Sequence, residues 1–391
     1  MKKTVMSVLE EWSLPLIMGI IIALFWANYN TISYQNFLHY KILGQVDIHF
    51  LVNDVFLVLF FGLITCEIVH DFSEGGNLHP FHKVLNNVLA AIGGVLCPIL
   101  LFFGLNHYLG QQSYESGWAI PTATDIAVAL LFAKFVFFRG HPAFTFLLLL
   151  AVIDDFIGLG IIALFYPDPI NPIKPIFLLL VLFAVVLSFM LKKIKVKSYW
   201  FYVLPAFISW VGMFYAGLHP SLALVWIVPL MKTQAPKHSA PMDKFEKDLR
   251  PIVTLGLFFF GLCNAGVAFS NVSLLTFFVY ISLLLGKISG ILFFVWLGTK
   301  IGFSQNKLLG IHEMILIGLL ASIGLTVSLF VADIAYLDTD LKDASKMGAL
   351  LSVANGFIAI LYSRIIKHEK GKWTSYIQDV SLRILGKEQR Y

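Results

Sequence analysis

Apolar residues run along this chain in blocks separated by short polar interruptions, from Trp12 to Ile366. Blocks of about twenty residues fit a hydrocarbon layer roughly 30 Å thick at 1.5 Å of helical rise per residue. The pattern predicts twelve spans, near 12–29, 53–71, 84–106, 118–137, 143–166, 175–191, 199–213, 217–231, 250–269, 273–298, 313–336 and 345–366. The first block, Leu14 to Ala27, lacks a small-residue cleavage pattern and is followed by many more spans, so it reads as a retained helix and not a removed signal. An even number of spans places both termini on one side. If that side is cytoplasmic, most of the 28 basic residues fall inside, including Lys192, Lys193, Lys195 and Lys197, while Lys41, Lys174, Lys342 and Lys346 fall outside. Such asymmetry is what the positive-inside rule demands of an inner (plasma) membrane protein.

Composition agrees with the pattern and narrows the class. The chain has 391 residues, 58% hydrophobic and 13% charged, with a mean hydropathy of +0.82, which leaves no room for a sizeable soluble domain. The expectation is an all-α polytopic membrane protein: one bundle over 1–391 that ends in a basic cytoplasmic tail at 367–391. Its net charge of +5 is accounted for by a surface facing anionic membrane lipid, so no nucleic-acid partner is implied. Cys66, Cys97 and Cys263 all lie in apolar blocks and offer neither a disulfide framework nor metal-ligand spacing.

Four ionisable residues fall well inside predicted spans: Asp125, Asp154, Asp155 and Lys287. A carboxylate at the centre of a membrane helix costs about 2.5–3.5 kcal/mol on an insertion scale, and intramembrane acids mark proton or cation sites. Carboxylate, hydroxyl and carbonyl oxygens suit a hard cation such as sodium, and protons can replace that cation on the same oxygens. Adjacent residues diverge around a helix, so one of Asp154 and Asp155 can bind ions while the other pairs with Lys287. Lys287 reads equally as a structural ion-pair partner or as a participant in proton exchange. Glu67 and Asp71 sit near the end of the second span, where solvation alone explains them, and Asp333 near the outer end of the eleventh has no assigned role.

Asp125 follows Ile120-Pro121-Thr122-Ala123-Thr124 inside an apolar block, where proline removes a backbone donor. The eleventh span carries a comparable interruption at Gly318-Leu319-Leu320-Ala321-Ser322-Ile323-Gly324-Leu325-Thr326. Two interrupted helices, one in each half, point to inverted-topology repeats with a midplane site. Half-helix N-termini favour an acid and C-termini a base; Asp125 and Lys287 are the candidates. Asp125 reads either as a cap on a helix fragment or as a direct ion ligand.

At these residues the chain resembles the NhaA sodium/proton antiporter family. The resemblance rests on Gly117-Trp118-Ala119-Ile120-Pro121-Thr122-Ala123-Thr124-Asp125-Ile126-Ala127, Ile153-Asp154-Asp155, Asn264-Ala265-Gly266-Val267 and Gly286-Lys287, with support from Asn53-Asp54, Glu67, Leu218-His219 and Ile323-Gly324-Leu325-Thr326-Val327-Ser328. It implies that Asp155 is the main cation-binding carboxylate, that Asp154 is its partner and can pair with Lys287, and that Thr124 and Asp125 lie close to the ion. It implies that Glu67 and Glu246 belong to a cytoplasmic mouth and its pH response. It further implies a secondary transporter, not an enzyme, that exports sodium or lithium against protons by alternating access and serves pH homeostasis without a cofactor. An extracytoplasmic β-hairpin near 40–50 would help form a homodimer. The chain departs from some members at Lys247 and Arg250, which stand where those members carry histidines, so the pH response should be shifted or weakened. Two other classes stay open from the residues alone: a sodium/organic-anion symporter, and an intramembrane aspartyl protease, whose Tyr-Asp and Gly-x-Gly-Asp signatures are absent. No GxxxxGK[ST] loop suggests coupling to ATP.

Overall fold

The computed structural model describes residues 13–44, 46–73, 84–138, 141–167, 174–231, 240–303 and 309–366. The start of the first span at Trp12 and the basic tail at 367–391 lie outside them. Among the described residues the chain is helical almost throughout, with helical segments at the position of every predicted span. Among the described residues seven helices are long and apolar enough to cross a membrane: Ile48–Phe72, Leu85–Leu109, Pro142–Phe165, Pro175–Lys193, Tyr199–Ala216, Leu274–Ile301 and Thr339–Ile366. Two bent pairs raise the number to nine.

Three predicted spans take other forms. Leu14–Tyr29 is a helix of 16 residues, about 24 Å long at 1.5 Å per residue. The segment near 217–231 is a run of 3₁₀ turns over Pro220–Leu230, because Pro220 and Pro229 each withdraw a backbone donor from the regular ladder. The helix assigned to 250–269 instead runs over Pro241–Asn264 and carries a charged first half that includes Asp243, Lys244, Glu246, Lys247 and Arg250.

Between the short helix Thr31–Leu38 and Ile48–Phe72, strands Lys41–Leu43 and Val46–Asp47 pair antiparallel, joined by Gly44 at φ 58°. That φ is costly for a residue with a Cβ and free for glycine.

The helices fall into two packed groups. Leu14–Tyr29, Ile48–Phe72, Pro175–Lys193, Tyr199–Ala216, Pro220–Leu230 and Pro241–Asn264 pack chiefly on one another. Leu85–Leu109, Pro142–Phe165, Leu274–Ile301, Thr339–Ile366 and the two bent pairs make the other group. The closest seam of that second group is glycine on glycine, since a Cβ on Gly93 would strike the Gly290 carbonyl oxygen and a Cβ on Gly290 the Gly93 carbonyl oxygen. Close backbone approach of this kind drives helix association where lipid removes the hydrophobic incentive. Much of the outer apolar surface remains exposed, including Phe25, Phe183, Phe207, Phe293 and Leu361, as a lipid-facing surface requires.

Candidate functional site

Two breaks in the helical ladder build the site. The 3₁₀ turns Gln112–Thr122 meet the helix Ile126–Val136 at 56°, and Ile311–Ala321 meets Thr326–Ala335 at 49°. The first break opens after Pro121, where Ala123 is extended (φ −82°, ψ 149°). Breaks at this depth leave backbone groups that lipid cannot satisfy, so protein must. Here the two breaks bond each other. The Asp125 N–H donates to the Ile323 carbonyl at 2.7 Å, the Ser328 hydroxyl to the Ile120 carbonyl at 2.8 Å, and the Thr124 hydroxyl contacts the Ala321 carbonyl at 2.7 Å. The last helix supports the second break: Ser352 Oγ accepts from the Gly324 N–H at 3.0 Å, and the Asn355 amide donates to Ser322 Oγ at 2.8 Å. Ser352 and Asn355 were not found by sequence reasoning. Their signal was weak: two small polar residues inside an apolar block.

Asp125 caps both half-helices at once. Its Oδ1 accepts from the Val128 N–H at 3.0 Å and its Oδ2 from the Thr326 N–H at 3.2 Å. One buried carboxylate thus faces the positive ends of two helix dipoles. Lys287 reaches a half-helix C-terminus through the Thr124 hydroxyl, which bonds the carbonyl of Ala321 at the end of Ile311–Ala321. Its fully buried ammonium donates to Asp154 Oδ2 at 2.5 Å and to Thr124 Oγ1 at 2.9 Å, because an ammonium in a dry interior gains more from a full negative charge than from partial charges on carbonyls. A π-helical turn over Ser282–Gly286 immediately precedes Lys287. Such turns re-aim the residues that follow them.

The adjacent aspartates separate by environment. Asp154 belongs to the lysine pair and also lies 2.8 Å from the Thr124 hydroxyl. Asp155 turns away, and its Oδ1 has no hydrogen-bond partner among the described residues. Asp155 lines a cavity of about 560 Å³ together with Thr124, Asp125 and Thr326. A buried carboxylate oxygen without a donor is costly to keep, and its placement on a polar cavity wall suits a cation.

At its far end the cavity is lined by Glu67, His70, Asp71, Glu246 and Arg250. Arg250 donates from Nη2 to Glu246 at 2.6 Å and to Glu67 at 3.2 Å, and His70 Nε2 lies 3.0 Å from Glu246 Oε2 and 3.5 Å from Asp243. The hydrogen bond from His70, joined by Arg250 and opposed by burial, holds the Glu246 carboxyl below the ordinary glutamate value. Glu67 and Glu246, far apart in sequence, thus share one arginine, while Lys247 follows Glu246 on Pro241–Asn264 and does not line the cavity. His70 escaped the sequence reading. Its signal was its position three residues after Glu67 on a helix, which puts both on one face. An imidazole is therefore present at the mouth, on a different helix from Lys247 and Arg250. His219 packs edge-on against Phe330, with ring centroids 5.4 Å apart.

Residues 5–362 match the family model described as Na+/H+ antiporter 1. The chain belongs to that family. Relatives in the Na+/H+ antiporter 1 family include proteins named Na(+)/H(+) antiporter NhaA from Geobacter metallireducens, 46% identical over 92% of this chain and 97% of that one, and from Desulfitobacterium hafniense, 44% identical over 95% and 98%. A further relative of that name, from Geobacter sulfurreducens, is 44% identical over 92% and 97%. A solved structure of the sodium proton antiporter MjNhaP1 from Methanocaldococcus jannaschii superposes with a TM-score of 0.52 at 15% identity, over 90% of this chain and 91% of that one, a likeness of fold. The crossed breaks and buried acids of this member of the Na+/H+ antiporter 1 family thus lie within an architecture shared across a wide sequence distance.

Proposed function

We propose that the protein exchanges sodium for protons across a bacterial-type inner membrane by alternating access, with Asp155 as the principal cation carboxylate. The observation that carries this reading is Asp155, a buried acid that lines the cavity and whose Oδ1 has no donor among the described residues. Thr124 and Asp125 stand on the same wall and supply further oxygens. The Asp154–Lys287 pair sits behind it, where a proton moving onto Asp154 would release the lysine's hold. Sodium or lithium and protons are then competing cargo on one set of oxygens, and no cofactor takes part. Exchange is obligatory if the helix group bearing the site moves only when its carboxylate charge is neutralised by one or the other. Twelve crossings with both termini cytoplasmic would make the Glu67–Glu246 end the cytoplasmic mouth, and pairing of two copies through the strands at 41–47 would make the dimer.

The test is sodium-triggered collapse of a preformed pH gradient in inverted vesicles, comparing wild type with Asp155→Asn. Wild type should respond to sodium and lithium, and Asp155→Asn should lose at least about a hundredfold in rate, as expected when a group that contacts the cargo is removed. Full exchange in the variant would defeat the assignment of Asp155, while a wild-type protein that moves sodium only with an organic co-substrate would favour symport.

A further inference from the structure

Asp333 lies outside the site and faces two lysines, a histidine and an asparagine. It sits near the end of Thr326–Ala335, the half-helix that begins at the Asp125 cap, so it stands about 10 Å along the helix axis from the site. Its two carboxylate oxygens face different helix groups. Oδ1 accepts from Lys346 at 2.8 Å and lies 3.3 Å from Lys342, both on Thr339–Ile366 of its own group. Oδ2 lies 3.3 Å from His49 Nε2 and accepts from the Asn53 amide at 3.3 Å, both on Ile48–Phe72 of the other group. Asn53 is fixed in turn by a reciprocal amide pair with Asn264, at 2.9 and 3.2 Å, at the end of Pro241–Asn264.

The same two helices, Ile48–Phe72 and Pro241–Asn264, carry Glu67, His70, Glu246 and Arg250 at their opposite ends, where the cavity lies between the groups. The molecule is therefore open between its groups at one end and clasped at the other. The two kinds of contact differ in what their loss costs. Separating the groups would leave Asp333 still charge-paired with Lys346, so only the contacts on Oδ2 need break. A buried carboxylate with no lysine of its own would resist separation far more strongly.

We propose that Asp333, His49 and Asn53 form the gate at the end opposite the cavity, and that the Oδ2 contacts must part for the ion to leave on that side. The proposal rests on the alternating-access reading. Lys342 and Lys346 are the anchor that keeps Asp333 compensated while the gate is open.

The native Cys263, buried next to Asn264, serves as reporter in a Cys66→Ser/Cys97→Ser background. A membrane-impermeant maleimide is applied from the face that bears His49. His49→Ala/Asn53→Ala should raise the labelling rate at least about tenfold, since it removes both Oδ2 contacts and a single hydrogen bond to a charged group is already worth about that factor. Labelling unchanged in a variant that keeps the wild-type melting temperature overturns the gate. In a background lacking native cysteines, His49→Cys/Asp333→Cys joined by a short bis-methanethiosulfonate should lose exchange and regain it on reduction. Full exchange by the joined protein also overturns it. Vesicles in which the uncrosslinked wild-type protein exchanges no sodium for protons would defeat the antiport reading itself.

Discussion

Asp154 and Asp155 show how one covalent step divides two identical side chains. The helix turns about 100° between them, which puts Asp154 against Lys287 and leaves Asp155 on the cavity wall. That such neighbours must diverge was legible in the sequence. Which of the two meets the lysine was implied by the family resemblance but left open by the residues alone, because the answer depends on how Leu274–Ile301 packs beside Pro142–Phe165. At the mouth, Glu246 provides a residue-scale test of acid stability. Its carboxyl is held below the ordinary glutamate value, first by the hydrogen bond from His70 and then by Arg250, against burial. A depressed carboxylate contributes stability that is fully present above the unfolded value and is lost as pH falls through the folded one. The melting temperature of wild type should therefore exceed that of Glu246→Gln near pH 7, by an amount worth about 1 kcal/mol, and the two should converge in acid once pH falls below the depressed folded value. A gap that persists in acid would mean that the glutamate acts through packing and not charge.

At the scale of elements, proline marks breaks and glycine marks seams. Pro121 places the first interruption correctly within a few residues, because a missing N–H is a local property of the chain. What satisfies the freed groups is not local: the partner of Asp125 N–H is Ile323, and that of Gly324 N–H is Ser352. No periodicity along the sequence announces those pairs. The Gly93–Gly290 seam is likewise a tertiary fact, since several other glycines have open space where a Cβ would go, Gly104, Gly158 and Gly160 among them. Gly290→Val should push Leu274–Ile301 off Leu85–Leu109 and destabilise the protein by about 1–3 kcal/mol or more. Gly160→Ala, on the helix of the aspartates, should leave stability unchanged within about 0.5 kcal/mol. Thermal unfolding in detergent compares the two, and equal effects would remove the packing argument.

For the whole molecule, the decisive arrangement is two helix groups parted by a cavity at one end and clasped by Asp333 at the other. If sodium and protons share the Asp155 oxygens, the apparent KM for sodium in vesicles should rise as pH falls on the acid limb, by about tenfold per pH unit for each competing proton. Initial rates at several pH values give the slope. A KM that stays constant while kcat falls would separate the proton site from the sodium site and assign protons to the Asp154–Lys287 pair.

Hydropathy along the chain is enough to determine that this is a polytopic helical membrane protein, because hydrocarbon excludes both unsatisfied backbone and uncompensated charge wherever they occur. The same exclusion singles out Asp125, Asp154, Asp155 and Lys287, and the prolines and glycines near residues 120 and 324 locate the interruptions. Tertiary structure alone decided that the interruptions bond each other, that Asp125 caps two half-helices, that Lys287 bonds Thr124 as well as the Asp154 implied by the resemblance, and that Asp333 is shared between two helix groups. Those outcomes depend on contacts between residues up to 284 positions apart. Burial cost is a property of each residue, whereas compensation is a property of whichever neighbour the fold delivers.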